Sequence, residues 1–193
     1  MSTSSTRDQL IAHARRLIQT RGYNGFSYRD LANLVGIKTA SIHYYFPQKE
    51  DLLLAVVDDY RAHWRNNLLA LPEDATAAQR LRCYFDLCER AIREADGVTL
   101  GSALAADLMS LPESVRRQLQ DFYRANEAWL ADVLAQGNRD GSLPTHVDPE
   151  SAAQALYAAV QGALISNRLF DKENRRNCLL AILKIVEPQP PSG

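Results

Sequence analysis

Little in this 193-residue chain suits redox or metal chemistry. It has three cysteines, Cys83, Cys88 and Cys178, and no Cys-x-x-Cys pair. Cys83 and Cys88 are five positions apart, which at about 100° per residue puts them about 140° apart around a helix and disfavours a disulfide between them. Each cysteine reads as a buried structural thiol. His13, His43, His63 and His146 are scattered, there is no His-Glu-x-x-His zinc pattern, and no Gly-rich phosphate loop follows a strand. The expectation is therefore of no catalytic residue, no cofactor and no metal: the chain is not an enzyme. No apolar run approaches the roughly 20 residues that span a bilayer, so no membrane partner is expected. The opening MSTSSTRDQL lacks the basic start and apolar stretch of a secretory signal, and a cytoplasmic location is expected. Only nine Gly and eight Pro accompany 46% hydrophobic residues. That composition describes an ordered, helix-rich chain, and neither strand-like alternation nor an internal repeat is found in it.

The most informative stretch is residues 26–46, FSYRDLANLVGIKTASIHYYF, where two short apolar-periodic helices are joined through Gly36. Leu31, Ala32 and Val35 share one face of the first, and small Ala32 leaves room for the second helix to cross closely. Gly36 supplies a left-handed turn, after which Ile37 tucks back into the junction. Ser27 stands where an N-cap belongs, with Asp30 three residues on in place of the usual Glu. In the second helix Ala40, Ile42 and Tyr45-Phe46 put apolar atoms on or beside the inner face, while Lys38, Thr39, Ser41, His43 and Tyr44 offer polar tips suited to a major groove. Pro47 stops that helix. Gln48 or Lys49 opens the next, which places Lys49 to meet the DNA backbone. The pattern is that of a helix-turn-helix. Its expected DNA-binding set is Ser27, Tyr28, Lys38, Thr39, Ala40, Ser41, His43, Tyr44, Tyr45 and Lys49.

These residues resemble the TetR family of bacterial transcriptional regulators. The resemblance rests on Gly22-Tyr23 at the end of the first helix, on the run from Ser27 to Leu31-Ala32, and on Gly36-Ile37. It continues through Tyr44-Tyr45-Phe46, Lys49 and Leu52, and covers roughly residues 10–60. Downstream the similarity lies in helical layout, closest to the NemR-like branch. That branch is associated with an electrophile-sensing cysteine near the start of the sixth helix, where this chain reads Val98-Thr99-Leu100-Gly101-Ser102 and departs from it.

Charge agrees with a DNA-binding head. The net charge is only -1, but residues 1–50 carry seven Lys/Arg against three Asp/Glu, +4, and the remainder fifteen against twenty, -5. Phosphate attraction then acts on the head alone.

The rest of the chain reads as helices punctuated by Pro and Gly. Leu10, Ile11, Ala14, Leu17 and Ile18 form the stripe of a first helix ended by Gly22. Leu52, Leu53, Val56, Val57, Tyr60 and Trp64 carry a long fourth helix to a break at Leu71-Pro72-Glu73-Asp74. A helix is expected over residues 75–95, ended by Asp96-Gly97, and a shorter one over 102–109. Another starts at Leu111-Pro112-Glu113 and runs to about residue 136. Residues 137–144 form a loop, and Asp148-Pro149-Glu150 starts a helix whose residues 151–170 are rich in small side chains: Ala155, Ala159, Gly162 and Ser166. The last helix spans about residues 174–186, with a disordered tail at 188–193. The expected fold is all-α, about nine helices: a three-helix helix-turn-helix head, residues 1–50, on a helical ligand-binding and dimerisation body, residues 51–187.

The family resemblance implies a homodimer built from the last two helices, residues 151–186, that reads double-stranded operator DNA as a palindrome. It also implies an unidentified small-molecule inducer that binds the body and releases the repressor. Trp64, Tyr84, Leu87, Cys88, Leu108, Met109, Phe122, Tyr123, Trp129 and Tyr157 are the candidates to line that pocket. An aromatic stripe at helical spacing more often describes a core. The alternative function is a helical ligand- or protein-binding dimer that does not bind an operator.

Overall fold

A computed structural model describes residues 5–70, 74–94, 98–143, 147–166, 169 and 177–186. The breaks expected at residues 71–73, 96–97 and 144, the end of a helix at Phe170, the start of the last helix at 174–176 and the tail at 188–193 lie outside the described residues. The rest is all-α. Nine helices follow in order: α1 (Thr6–Arg21), α2 (Tyr28–Val35), α3 (Thr39–Tyr45), α4 (Lys49–Leu69), α5 (Ala77–Glu94), α6 (Leu100–Ala106), α7 (Glu113–Asp140), α8 (Pro149–Ser166) and α9 (Cys178–Val186). Two 3-10 turns, Tyr23–Gly25 and Leu108–Ser110, complete the set among the described residues. None of these helices is long and apolar enough to cross a membrane.

The chain divides into two compact units. One is Met1–Arg65 with Thr99–Asp121, the other Asn66–Val98 with Phe122–Gly193. The first unit thus takes in α1 to α3, most of α4, α6 and the opening turns of α7. In it α1 starts from a capping box in which the Ser5 hydroxyl accepts the Asp8 N–H while the Asp8 carboxylate accepts from the Ser5 backbone and hydroxyl. The stripe Leu10, Ile11, Ala14, Leu17 and Ile18 is buried as the periodicity requires, each large member contributing about 1.5–3 kcal/mol on transfer from water. It packs α1 on α2 and α6.

In the second unit α9 packs on α5 and α8. Leu81, Tyr84, Phe85, Leu87 and Cys88 of α5 are buried, with Leu130, Val133 and Leu134 of α7 and Leu156, Tyr157 and Val160 of α8. The start of α5 is fastened to the end of α7. Asp140 accepts from the Ala77 N–H at 3.1 Å and Ser142 accepts from the Ala78 N–H at 3.2 Å, so two amides with no intrahelical partner are satisfied from outside the helix. Hydrogen bonds from Ser142 first, and then from Ala77, hold the Asp140 carboxyl below the usual carboxylate range. Gln136 accepts from the Arg80 guanidinium and donates to the Ala75 carbonyl, adding a third tie.

This junction corrects one expectation. Gly137 was expected to open the loop after α7, yet the helix continues to Asp140 and Gly137 is buried within it. A Cβ there would lie 2.5 Å from the Leu143 Cβ and 3.3 Å from the Ala77 Cβ. The glycine serves close packing, and that requirement outweighs its poor helix propensity. Gly137→Ala is therefore expected to lower the melting temperature. Overpacking costs about 1–3 kcal/mol, against about 1 kcal/mol regained in helix propensity. A thermal melt followed by circular dichroism checks this, and an unchanged or raised midpoint contradicts it.

Candidate DNA-binding interface

The corner between α2 and α3 follows from Gly36. Its φ of 75° and ψ of 33° are left-handed, and the N–H groups of both Gly36 and Ile37 close on the Ala32 carbonyl at 2.9 and 3.1 Å. Leu31, Ala32, Ile42 and Phe46 are buried, and α2 packs on α3. With Ile42 facing inward, about 100° per residue places Ala40 and Tyr44 on the opposite side of α3, with Ser41 and His43 on its flanks. All four are exposed, Tyr44 by 83%. Lys38, the N-cap position of α3, is exposed too, and Thr39 is half-buried. Tyr45 packs edge-on against Tyr44 with ring centroids 5.2 Å apart. Of the polar tips expected from the sequence, Lys38, Ser41, His43 and Tyr44 are thus exposed, and Thr39 turns partly toward the Ile42 side.

Ser27, Tyr28 and Lys49 are engaged within the protein. The Ser27 hydroxyl donates to Asp30 at 2.7 Å and accepts the Asp30 N–H at 3.3 Å, closing the capping box of α2. The Ser27 hydroxyl first, and then the Ser27 N–H at 2.7 Å, hold the Asp30 carboxyl below its ordinary range. The single hydroxyl proton of Tyr28 is shared between the carbonyls of Phe46 and Gln48, 2.9 and 2.7 Å from its oxygen, bracing α2 against the connection between α3 and α4. Burial pushes its phenol up to about 12, with Asp51 adding to the shift.

Lys49 was expected at the DNA backbone, but its ammonium turns inward. It donates to the carbonyls of Tyr23 and Phe26 at 2.5 and 2.6 Å and lies 4.7 and 4.2 Å from the centroids of their rings. Desolvation lowers its pKa, partly opposed by Asp30. The two acceptors are backbone oxygens about 25 residues upstream, which carry no side-chain signature in the sequence.

Asp107 was likewise not foreseen as part of the head. It accepts from the Tyr23 N–H at 2.9 Å, so α6 and α4 hold the same turn. The Gln48-to-Asp51 tie, with the Asp51 carboxylate accepting the Gln48 N–H at 2.8 Å, was legible in principle as a start signal for α4.

The proposed pocket residues separate. Tyr84, Leu87, Cys88, Phe122, Tyr123, Trp129 and Tyr157 fall in the second unit; Trp64, Leu108 and Met109 fall in the first. Tyr84 stacks on Trp129 at 5.5 Å, with the Arg80 guanidinium 5.4 Å from the Trp129 ring, and Tyr123 meets Tyr157 edge-on at 5.0 Å. Trp64 is buried beside Tyr60. Leu108 and Met109 are exposed, Met109 by 89%. The helix expected to reach residue 109 stops at Ala106, and the 3-10 turn that follows swings both side chains outward. Cys88 is fully buried, and desolvation drives its thiol up to about 12 despite a hydrogen bond from Tyr84. Among the described residues no cluster of His, Cys, Asp or Glu is arranged to hold a metal ion.

Comparison with known proteins matches residues 10–56 to the family described as bacterial regulatory proteins, tetR family, and residues 77–182 to the tetracyclin repressor-like C-terminal domain. A transcriptional regulator of the TetR family from Agrobacterium tumefaciens has a similar structure, with a TM-score of 0.87 at 31% identity over 95% of this chain and 98% of that one. A TetR transcriptional regulator from Legionella pneumophila superposes with a TM-score of 0.83 at 31% identity, covering 96% and 97%. The HTH-type transcriptional repressor NemR of Escherichia coli (strain K12) is 24% identical over 186 residues, 94% of each chain. Both parts of the chain, its motif and its fold thus agree: it belongs to the TetR family and is a helix-turn-helix regulator of transcription rather than an enzyme.

Proposed function

We propose that the protein is a ligand-responsive repressor that binds a palindromic operator as a homodimer and is released by a small molecule. The observation that carries the DNA-binding part is the outer surface of α3, where Lys38, Ala40, Ser41, His43 and Tyr44 stand exposed on a helix whose inner side is locked by Ile42. Arg29 in the first turn of α2 is exposed as well and extends the basic character of the head. Relatives named as repressors, NemR of Escherichia coli and DhaR of a Mycobacterium strain, support repression as the sign of control.

For dimerisation the support is an apolar surface left open on α8 and α9. Ala155, Ala158, Ala159, Gly162 and Ile165 are exposed along one side of α8, and Leu180, Ala181 and Ile185 along α9, Ile185 by 83%. A Cβ added at Gly162 would meet nothing within 4 Å. Small apolar side chains facing outward let a second helix pair approach closely, and a two-fold partner would place two copies of α3 on successive turns of DNA. For the ligand, the reading keeps the second unit's Tyr84, Leu87, Cys88, Phe122, Tyr123, Trp129 and Tyr157, an aromatic set suited to a largely apolar molecule. The burial of Cys88, which disfavours its thiolate, supports noncovalent binding there.

Three outcomes test this reading. Selection of bound fragments from a random DNA pool is expected to enrich a palindrome, and Tyr44→Ala to weaken binding to it by at least about tenfold, about 1.4 kcal/mol, without changing the oligomeric state. A pool without an enriched palindrome favours the non-operator alternative. Ala159→Arg is expected to convert the dimer to monomer in light scattering and to abolish operator binding; a persisting dimer moves the interface elsewhere. Lys49→Met is expected to weaken operator binding while lowering the melting temperature. Because the Lys49 ammonium is spent on Tyr23 and Phe26, the slope of log affinity against log salt should stay constant. A slope shallower by about 0.9 per protomer would instead reveal that the ammonium neutralises a phosphate directly.

A further inference from the structure

We infer that His43 selects its base as a hydrogen-bond acceptor: its Nε2 reads an amino group in the major groove, adenine N6 or cytosine N4. This rests on the proposal that the outer surface of α3 enters that groove.

The Nδ1 of His43 lies 3.2 Å from the carbonyl oxygen of Pro47. A carbonyl only accepts, so Nδ1 carries the proton in this contact. A neutral imidazole has one N–H, which leaves Nε2 with a lone pair and no hydrogen. The ring is also held from the side. Its centroid is 4.9 Å from that of Tyr28, at an interplanar angle of 64°, and Tyr28 is itself fixed by donating to Phe46 and Gln48. The three successive carbonyls of residues 46, 47 and 48 are thus each used by Tyr28 or His43. Turning the ring over would put a carbon against Pro47 and lose that bond. Among the described residues no other hydrogen bond engages the ring, and the side chain is exposed on the flank of α3 next to Tyr44.

A fixed acceptor narrows what can be read. Guanine N7 and O6, thymine O4, adenine N7 and the phosphate oxygens are all acceptors; the major groove presents donors only at adenine N6 and cytosine N4. An acceptor facing any of the others leaves two lone pairs opposed, so the same geometry that favours an amino group also rejects its alternatives.

The test uses the full-length protein and the operator obtained from selection. At each half-site position in turn, adenine is replaced by purine, which lacks the N6 amino group, and cytosine by pyrimidin-2-one, which lacks N4. Affinity is measured for the wild-type protein and for His43→Phe, which keeps a ring beside Tyr28. One position is expected where removing the amino group weakens wild-type binding about five- to tenfold, as one hydrogen bond would. At that position the change has no effect on His43→Phe. Coupling of His43 to a 7-deazaguanine or methylphosphonate substitution instead, or to no position, overturns the inference. A nitrogen-15 spectrum of the free wild-type protein provides a readout independent of any variant: His43 Nε2 is expected to be unprotonated in the neutral ring and Nδ1 protonated, and the opposite assignment overturns the inference. Failure of the wild-type protein to bind any operator would defeat the underlying reading before the base analogues are used; operator binding without His43 coupling defeats this inference alone.

Discussion

The head depends on where one charge is placed. The Lys49 ammonium, at the first residue of α4, bonds the two carbonyls that bracket the turn between α1 and α2 and lies close to both aromatic rings of that turn. Hydrogen bonds from a charged donor contribute about 1.5–3 kcal/mol each where water is excluded, and less here, because the side chain is only partly buried. The lowered pKa of Lys49 records that its dehydration outweighs the attraction of Asp30. What the arrangement secures is geometry. Residue 49 follows α3 and residues 23–26 precede α2, so tying them closes a ring around the helix-turn-helix. Asp107 then holds the same turn by the Tyr23 N–H.

That closure explains how a seven-residue helix stays in place. An isolated helix as short as α3 is far below the length that is stable in water. It persists because Ile42 and Phe46 are buried and because its exit is held by Tyr28. The outer side chains are therefore presented on a surface whose shape is determined behind them, which is what reading base edges requires.

The parts of this arrangement that could be read from sequence are those with a local signature. Gly36 has left-handed geometry, Ser27 caps with Asp30, and Ile42 and the α1 stripe are buried, each as spacing alone implies. Contacts between distant segments were not legible. Lys49 and Asp107 are charged residues that a helical pattern assigns to solvent, and their partners are backbone atoms that no pattern marks. Gly137 misled for a related reason: glycine ends helices often enough to be read as a stop, while the demand for a bare Cα came from Leu143 and Ala77. Leu108 and Met109 misled because periodicity does not reveal that a helix tightens into a 3-10 turn at Asp107, after which the same spacing points outward.

The body carries a harder ambiguity, because aromatic residues at helical spacing more often serve a core yet can also line a binding pocket. Tyr84 stacks on Trp129 and Tyr123 meets Tyr157 edge-on, so these rings are packed on one another. A small molecule entering among them must replace those ring contacts, each worth about 0.5–1.5 kcal/mol beyond area burial. That cost bears on regulation as well as affinity. A ligand with equal affinity for the DNA-bound and released arrangements shifts nothing however tightly it binds, so only the difference in what it displaces between the two can do so. In the proposed scheme the ligand therefore acts through whatever contacts differ between the two arrangements, and not through tight binding alone.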